Sequence, residues 1–321
     1  MARLSPFSVV RLRTRTAWRA LLLLLFLVPV VAGCRAAPET KDADPALWVV
    51  RDADTTLYLF GTIHVLKPGM AGGSGPGWFD EGVRTAFDAS DTLVLEIVPP
   101  PDAELQRTIT AIGAAAPGAQ PLDRRIGPDL ARRLDTAARA AGLSPAALAH
   151  VDPWYAAVLL SVVPARRLGY VREQGVEATL EQAARAEGKK VEGLESVTQQ
   201  LGYFDTLPDD AQRVLLSSTL DELPRAETTL AQTVAAWSRG DAEALGETLN
   251  GSFGDARSAG AAALRRNLLL VRNRAWTDWI VHRMERPGTV FIAVGAGHLA
   301  GADNVRAMLV ARGLRVERVR Y

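Results

Sequence analysis

One cysteine in 321 residues excludes an intrachain disulfide and any cysteine-rich zinc site. Histidine is nearly as scarce: imidazole chemistry must come from His64, His150, His282 or His298. No H-E-x-x-H pair is present. His282 opens an H-x-x-E fragment, but Arg286 stands where the inverted zinc motif needs a second His. A G-x-S-x-G elbow is also missing, since Ser74 lies in a glycine-rich stretch and not between a strand and a helix, so serine-hydrolase chemistry has no support. Neither charge sign dominates, with 37 Lys and Arg against 36 Asp and Glu. That balance argues against a nucleic-acid partner, whose binding surfaces carry a basic excess.

What charge asymmetry exists is concentrated at the start. Residues 1–33 hold five Arg and no acid, and 20–32 form a wholly apolar run. Thirteen residues are too few to span a bilayer comfortably as a helix and suit the apolar segment of a signal peptide. The run closes on Val31-Ala32-Gly33-Cys34, which resembles a bacterial lipobox. The reading is a lipoprotein signal at 1–33, a lipidated Cys34 at the head of a polar tether over 34–46, and one domain over 47–321. The expected location is the bacterial cell envelope, with the membrane reached through the lipid; Arg35 after the cysteine favours an outer-membrane destination.

In the remaining chain, 47–50 and 56–60 read as a hairpin, 92–98 as a buried strand stopped by Pro99-Pro100-Pro101, 189–195 as a short strand, 289–294 as a strong strand and 314–320 as a last one. Helical patterning fills most of 102–188 and 196–286, and a helix is expected over about 299–312. The fold class is therefore α/β: a single domain whose N- and C-terminal strands share one central sheet around a mainly helical middle. The stretch 67–77, with five Gly and two Pro, must be a loop, and it follows His64 directly as a candidate flap.

Two segments echo each other without gaps. TLYLFGTIHVL (56–66) and VFIAVGAGHLA (290–300) each run from an apolar strand through Gly, two small or apolar residues and His. Gly61 and Gly295 would let the chain turn at the strand ends without a Cβ clash. His64 and His298 would then stand at the carboxyl edge of the sheet, where α/β proteins place ligands. The second segment also matches a dinucleotide fingerprint, G-x-G-x-x-A with Glu317 twenty residues past Gly297, but that reading leaves the first segment unexplained and needs further strands where the chain ends.

In order along the chain stand YLFGTIHV, VLEI, GKKVEGLE, RNRAW (272–276) and VGAGHLAG (294–301). Together they resemble the TraB/GumN family, which includes the Tiki metalloproteases and whose fold is related to erythromycin esterase and to a haem-binding lipoprotein of the ChaN type. The resemblance implies a peptidase-like site with a divalent metal, Mn, Co or Zn, held by His64, His298 and Glu96, with Glu96 also able to activate water. Arg272 and Asn273 match its late Arg-Asn pair and would stabilise an oxyanion. Helical neighbours diverge by about 100°, so only one of the two is expected to face the site fully. Glu195 is a candidate outer partner, as is Glu177, where the family often carries Asp and this chain has one methylene more. Two readings of other kinds stand beside this one: a haem- or metal-binding lipoprotein without catalysis, and a metal-free esterase with His64 and Glu96 as the acid–base pair. In either hydrolytic case the substrate is a peptide or small molecule.

The lipobox reading predicts that Cys34→Ser leaves the protein unlipidated, seen as loss of the lipid mass and of membrane fractionation. Unchanged mass and fractionation would contradict it.

Overall fold

The computed structural model describes residues 43–71, 77–250 and 258–321. The signal segment, Cys34 and most of the tether lie outside these residues, as does the centre of the 67–77 stretch. Among the described residues no helix is long and apolar enough to cross a membrane.

Six strands form one mixed sheet: β1 (Leu47–Arg51), β2 (Thr55–Thr62), β3 (Thr92–Leu95), β4 (Lys190–Gly193), β5 (Gly288–Gly295) and β6 (Val316–Arg318), in the order β4-β3-β5-β2-β1-β6. The first four in that order run parallel, while β1 pairs antiparallel with β2 and with β6. First and last strands thus meet in one sheet, as the sequence implies. β5 is the reason the two halves join: its run of apolar residues is covered on both faces, as central parallel strands are. Val290, Ile292 and Val294 pack with Trp276 and Ile280 of the helix Val271–Arg283 and with Leu309 of the helix Val305–Ala311. Phe291 and Ala293 face the opposite way, into the large core beneath the helical middle, with Phe60, Phe87, Trp78 and Trp237. Phe60 touches Trp78 at 5.7 Å and Phe291 at 5.7 Å between ring centres.

The parallel register decides where the site falls. Thr62 on β2 is level with Gly295 on β5, and Leu95 on β3 is level with Ala293. The chains leaving β4, β3, β5 and β2 therefore emerge side by side at one edge. Neither glycine of the repeated motif serves as a left-handed turn; Gly295 has φ −48°, and Gly61 lies inside β2. For Gly61 the requirement is closeness. A Cβ on Gly61 would come within 3.1 Å of the Ala296 Cα, and the Gly61 carbonyl accepts the Trp237 indole N–H at 2.7 Å.

One further expectation is corrected. After β5 the chain makes a single 3-10 turn, Ala296–Leu299, and the next helix starts only at Val305, where the Asn304 side chain accepts the Ala307 amide. The dinucleotide fingerprint is therefore not followed directly by a helix, and Glu317 lies on β6, separated from β5 by β2 and β1.

Gly175 caps the helix Val176–Ala186 with its backbone against the chain leaving β2: Val176 N–H donates to the Ile63 carbonyl at 3.1 Å. A Cβ at 175 would lie 2.7 Å from the His64 carbonyl carbon. Gly175→Ala should displace His64 and cost about 1–3 kcal/mol in urea unfolding, the range for overpacking, whereas Gly202→Ala, with open space around it, should not destabilise.

Candidate functional site

Four neighbouring strand ends deliver four polar side chains into the interior: Glu195 past β4, Glu96 past β3, His298 past β5 and His64 past β2. All are buried; Glu96 and His298 have no exposed surface. Backbone bonds hold the edge together, from Glu195 N–H to the Glu96 carbonyl at 2.8 Å and from Leu194 N–H to the Leu95 carbonyl at 2.9 Å. Charges of this kind are costly to bury unless paired and fully hydrogen-bonded.

Arg272 supplies the pairing. It enters from the first turn of the helix Val271–Arg283 and is itself 1% exposed. Its Nε donates to both carboxylate oxygens of Glu195, at 3.0 and 3.1 Å. Its Nη2 donates to Glu96 Oε2 at 2.6 Å and to Glu195 Oε2 at 3.0 Å, and Nη1 meets His298 Nε2 at 3.0 Å. The other bonds complete the set. Glu96 Oε1 accepts the Gly295 amide at 2.7 Å, and its Oε2 also takes the Gln200 side-chain amide at 3.1 Å. Glu195 Oε1 accepts the Trp276 indole N–H at 3.0 Å. The Trp276 ring lies 4.7 Å from the guanidinium and 4.4 Å from the His298 ring.

His298 is fixed in one form by its neighbours. Its Nδ1 is 2.6 Å from Asn273 Oδ1, while the Asn273 amide nitrogen donates to the Asp303 carbonyl at 2.7 Å. With Oδ1 as acceptor, Nδ1 carries the proton and Nε2 accepts from Arg272. Burial, then the positive charges of Arg272 and His64, hold its pKa well below the usual imidazole value, so the ring is neutral. Burial raises Glu195 despite Arg272, and the two glutamates raise Arg272 despite its burial.

His64 belongs to a second pair. Its Nδ1 lies 2.5 Å from Glu177 Oε1, and the same oxygen accepts the Thr62 hydroxyl. Burial pushes the Glu177 carboxyl up, but the positive charge of His64 and the bonds from His64 and Thr62 outweigh it, and the pKa falls. Glu177 Oε2 is buried with no hydrogen-bond partner among the described residues. The extra methylene relative to Asp thus does not keep this carboxylate from the imidazole.

The structure brings every sequence-predicted residue of the domain to this edge, with changed relationships. Arg272 and Asn273 both face it, contrary to the divergence expected of helical neighbours, because they grip the two opposite nitrogens of one ring. Glu177, and not Glu96, is the carboxylate against His64. His150 and His282 are exposed and apart from the site, the latter paired with Glu285 at 3.2 Å. Three contributors carry no signal read from the sequence: Thr62, Gln200 and Trp276. Trp276 could have been found as the residue one turn after Arg272 on the same helix face, and Gln200 as a glutamine one residue past the Ser196–Gln199 capping box. Tyr203, half-buried, stands 5.8 Å from the guanidinium and links the cluster toward solvent.

A metal at His64, His298 and Glu96 does not fit this arrangement. Both nitrogens of His298 and both oxygens of Glu96 are already engaged, and the cation between them is Arg272. Among the described residues no group of three or more His, Cys, Asp and Glu is placed to hold a metal ion.

Arg272→Met should leave the two glutamates without a countercharge and cost about 3–5 kcal/mol in chemical unfolding; adding Glu195→Gln should recover part of that loss. Since folded His298 stays neutral while the unfolded ring titrates near about 6.5, the unfolded state gains protons and stability falls as pH drops below that value. His298→Gln should flatten the curve there.

The model of the TraB/PrgY/gumN family matches residues 46–318. Two curated relatives, each described as "Uncharacterized protein YbaP", come from Escherichia coli (strain K12) and Shigella flexneri; each is 27% identical over 265 residues, covering 83% of this chain and 92% of the relative. No solved structure matches. With the family model spanning the sheet from first strand to last, and with the buried His, Glu and Arg network inside that span, the chain belongs to the TraB/PrgY/gumN family.

Proposed function

We propose that this chain is an envelope lipoprotein with a hydrolase site of the acid–base kind, acting on a peptide or small-molecule acyl bond. The observation that carries the reading is the His64–Glu177 pair, a buried imidazole held at Nδ1 by a carboxylate 2.5 Å away. In its deprotonated form His64 keeps its remaining proton on Nδ1 toward the carboxylate, so that Nε2 is the proton-accepting nitrogen and the same carboxylate stabilises the imidazolium that follows. In the proposed step, Nε2 takes a proton from water as the water oxygen bonds to the substrate carbonyl carbon. The same proton then passes to the departing amine or alkoxide as the acyl bond breaks, which returns His64 to its starting state. Arg272 would offset the negative charge that develops on the carbonyl oxygen, and its ties to Glu96, Glu195 and His298 keep it in place beforehand.

A metal-dependent version, with Mn, Co or Zn, draws support from one feature. Glu177 Oε2, beside His64, is the buried carboxylate oxygen of the site that lacks a hydrogen-bond partner among the described residues. Two donors do not by themselves make a metal centre.

The test is hydrolysis of a fluorogenic peptide library and of p-nitrophenyl esters by full-length protein before and after dialysis against a chelator. The reading predicts activity that survives chelation. It also predicts a loss of about 10²–10⁴ for His64→Gln, and a Glu177→Gln/His64→Gln double variant no worse than His64→Gln alone, because groups acting as a unit are non-additive. Activity abolished by chelation and restored by Mn, Co or Zn would establish the metal-dependent version instead.

A further inference from the structure

An open groove of about 520 Å³ lies far along the chain from the site, among the helices Pro128–Ala140, Pro153–Arg167 and Asp209–Glu222. Its size is within the range of pockets that enclose small organic ligands. Its walls are apolar: Leu160 and Val163 on one helix face Ala137 and Ala140 on another, and the short alanines leave the space that larger residues would fill. Its polar lining is of one sign, with Arg132, Arg133 and Arg167 and no carboxylate. The chain as a whole is nearly charge-balanced, so this is a local departure.

The three guanidinium groups are not equivalent. Arg132 donates to Asp129 at 2.6 Å, and Arg133 to Asp221 at 2.7 Å and to the Ser217 hydroxyl at 3.1 Å; both are neutralised from outside the groove. Arg167 donates to the Ala140 carbonyl and has no carboxylate partner among the described residues. A carbonyl satisfies one N–H, and the rest of this exposed guanidinium is open to solvent and to a ligand.

We infer that this groove binds an amphipathic anion, a carboxylate or phosphate joined to an aliphatic body, with the anionic head on Arg167 and the chain against Leu160, Val163 and Ala137. An apolar wall beside an unpaired cation is complementary to that chemistry on both counts. The head gains charge-assisted hydrogen bonds to the guanidinium fork, and the body leaves water. A neutral aliphatic ligand would leave the charge unmatched, and a compact inorganic anion would leave the walls unfilled. Two sources supply such a molecule, a free fatty acid and an acidic membrane phospholipid. The inference is independent of the hydrolytic reading, since none of these residues touches the His64 and Arg272 networks.

Equilibrium dialysis of the full-length protein with radiolabelled decanoate and, separately, decanol tests it. The expected result is saturable decanoate binding that weakens about tenfold in Arg167→Gln, while decanol binding does not change with that substitution. Ala137→Trp, which fills the groove, should abolish binding of both with circular dichroism unchanged. If that variant fails to fold, the Arg167→Gln comparison stands alone. Absence of saturable decanoate binding, or equal affinity in the parent and Arg167→Gln, would overturn the inference. Sedimentation with phosphatidylglycerol vesicles assigns the source. Stronger association of the parent than of Arg167→Gln supports a site fed from the membrane, and equal association, with the decanoate difference intact, supports one fed by the free acid.

Discussion

A guanidinium with almost no exposed surface, bonded to two carboxylates and an imidazole, is the interaction on which the carboxyl edge of this sheet depends. Glu96 and Glu195 leave adjacent strands and would repel each other in the buried interior. Arg272 binds both, and its remaining reach fixes the lone pair of His298. Much of the neighbouring structure follows from that demand. The helix Val271–Arg283 must pack flat on β5, which Trp276 and Ile280 accomplish against Val290, Ile292 and Val294. Gly295 must offer its amide to Glu96, and Asn273 must hold the far nitrogen of the ring. A buried ion network of this kind contributes little net stability compared with an apolar core of equal volume. Its retention in the middle of the sheet edge is better understood as preorganised charge.

The second pair, His64 with Glu177, has a different character. It carries one imidazole and one carboxylate, with a hydroxyl from Thr62 as the added donor. Because Thr62 is level with Gly295 across the β2–β5 pairing, the two histidines leave neighbouring strand ends, and the charge on His64 is felt at His298. One imidazole is thereby kept neutral and structural while the other is coupled to a carboxylate and suited to carry a proton. The two halves of the repeated motif leave neighbouring strand ends by different paths, a 3-10 turn after β5 and an irregular segment that bridges to Val171 after β2.

How much of this was legible in the sequence varies by the range of the interaction. The strands were readable because apolar runs and their stops are local, and the pairing of first and last strands followed from a helical middle with no sheet of its own. The edge position of His64, His298 and Glu96 followed from strand, glycine and spacing alone. What side chains do once there was not readable. Glu177 lies 113 residues from His64, and nothing local marks it as the partner. The pairing arises because Gly175 allows the helix Val176–Ala186 to start against the chain leaving β2. Likewise the bonds of Arg272 to Glu96, Glu195 and His298 depend on side-chain reach, which no spacing rule reports. The helix expected from about 299 began at Val305 because the 3-10 turn holding His298 consumes the first residues after the strand.

The central claim is that Arg272 is the resident cation of the edge and that it holds His298 neutral with the proton on Nδ1. Nitrogen-15 NMR of the histidine-labelled protein reads this directly. One buried imidazole should show two nitrogen shifts that mark the neutral Nδ1–H tautomer as the pH falls through the ordinary histidine value, with no change on adding Mn, Co or Zn. A His298 signal that titrates near about 6.5, the ordinary histidine value, or that shifts or broadens on addition of a metal, would contradict it.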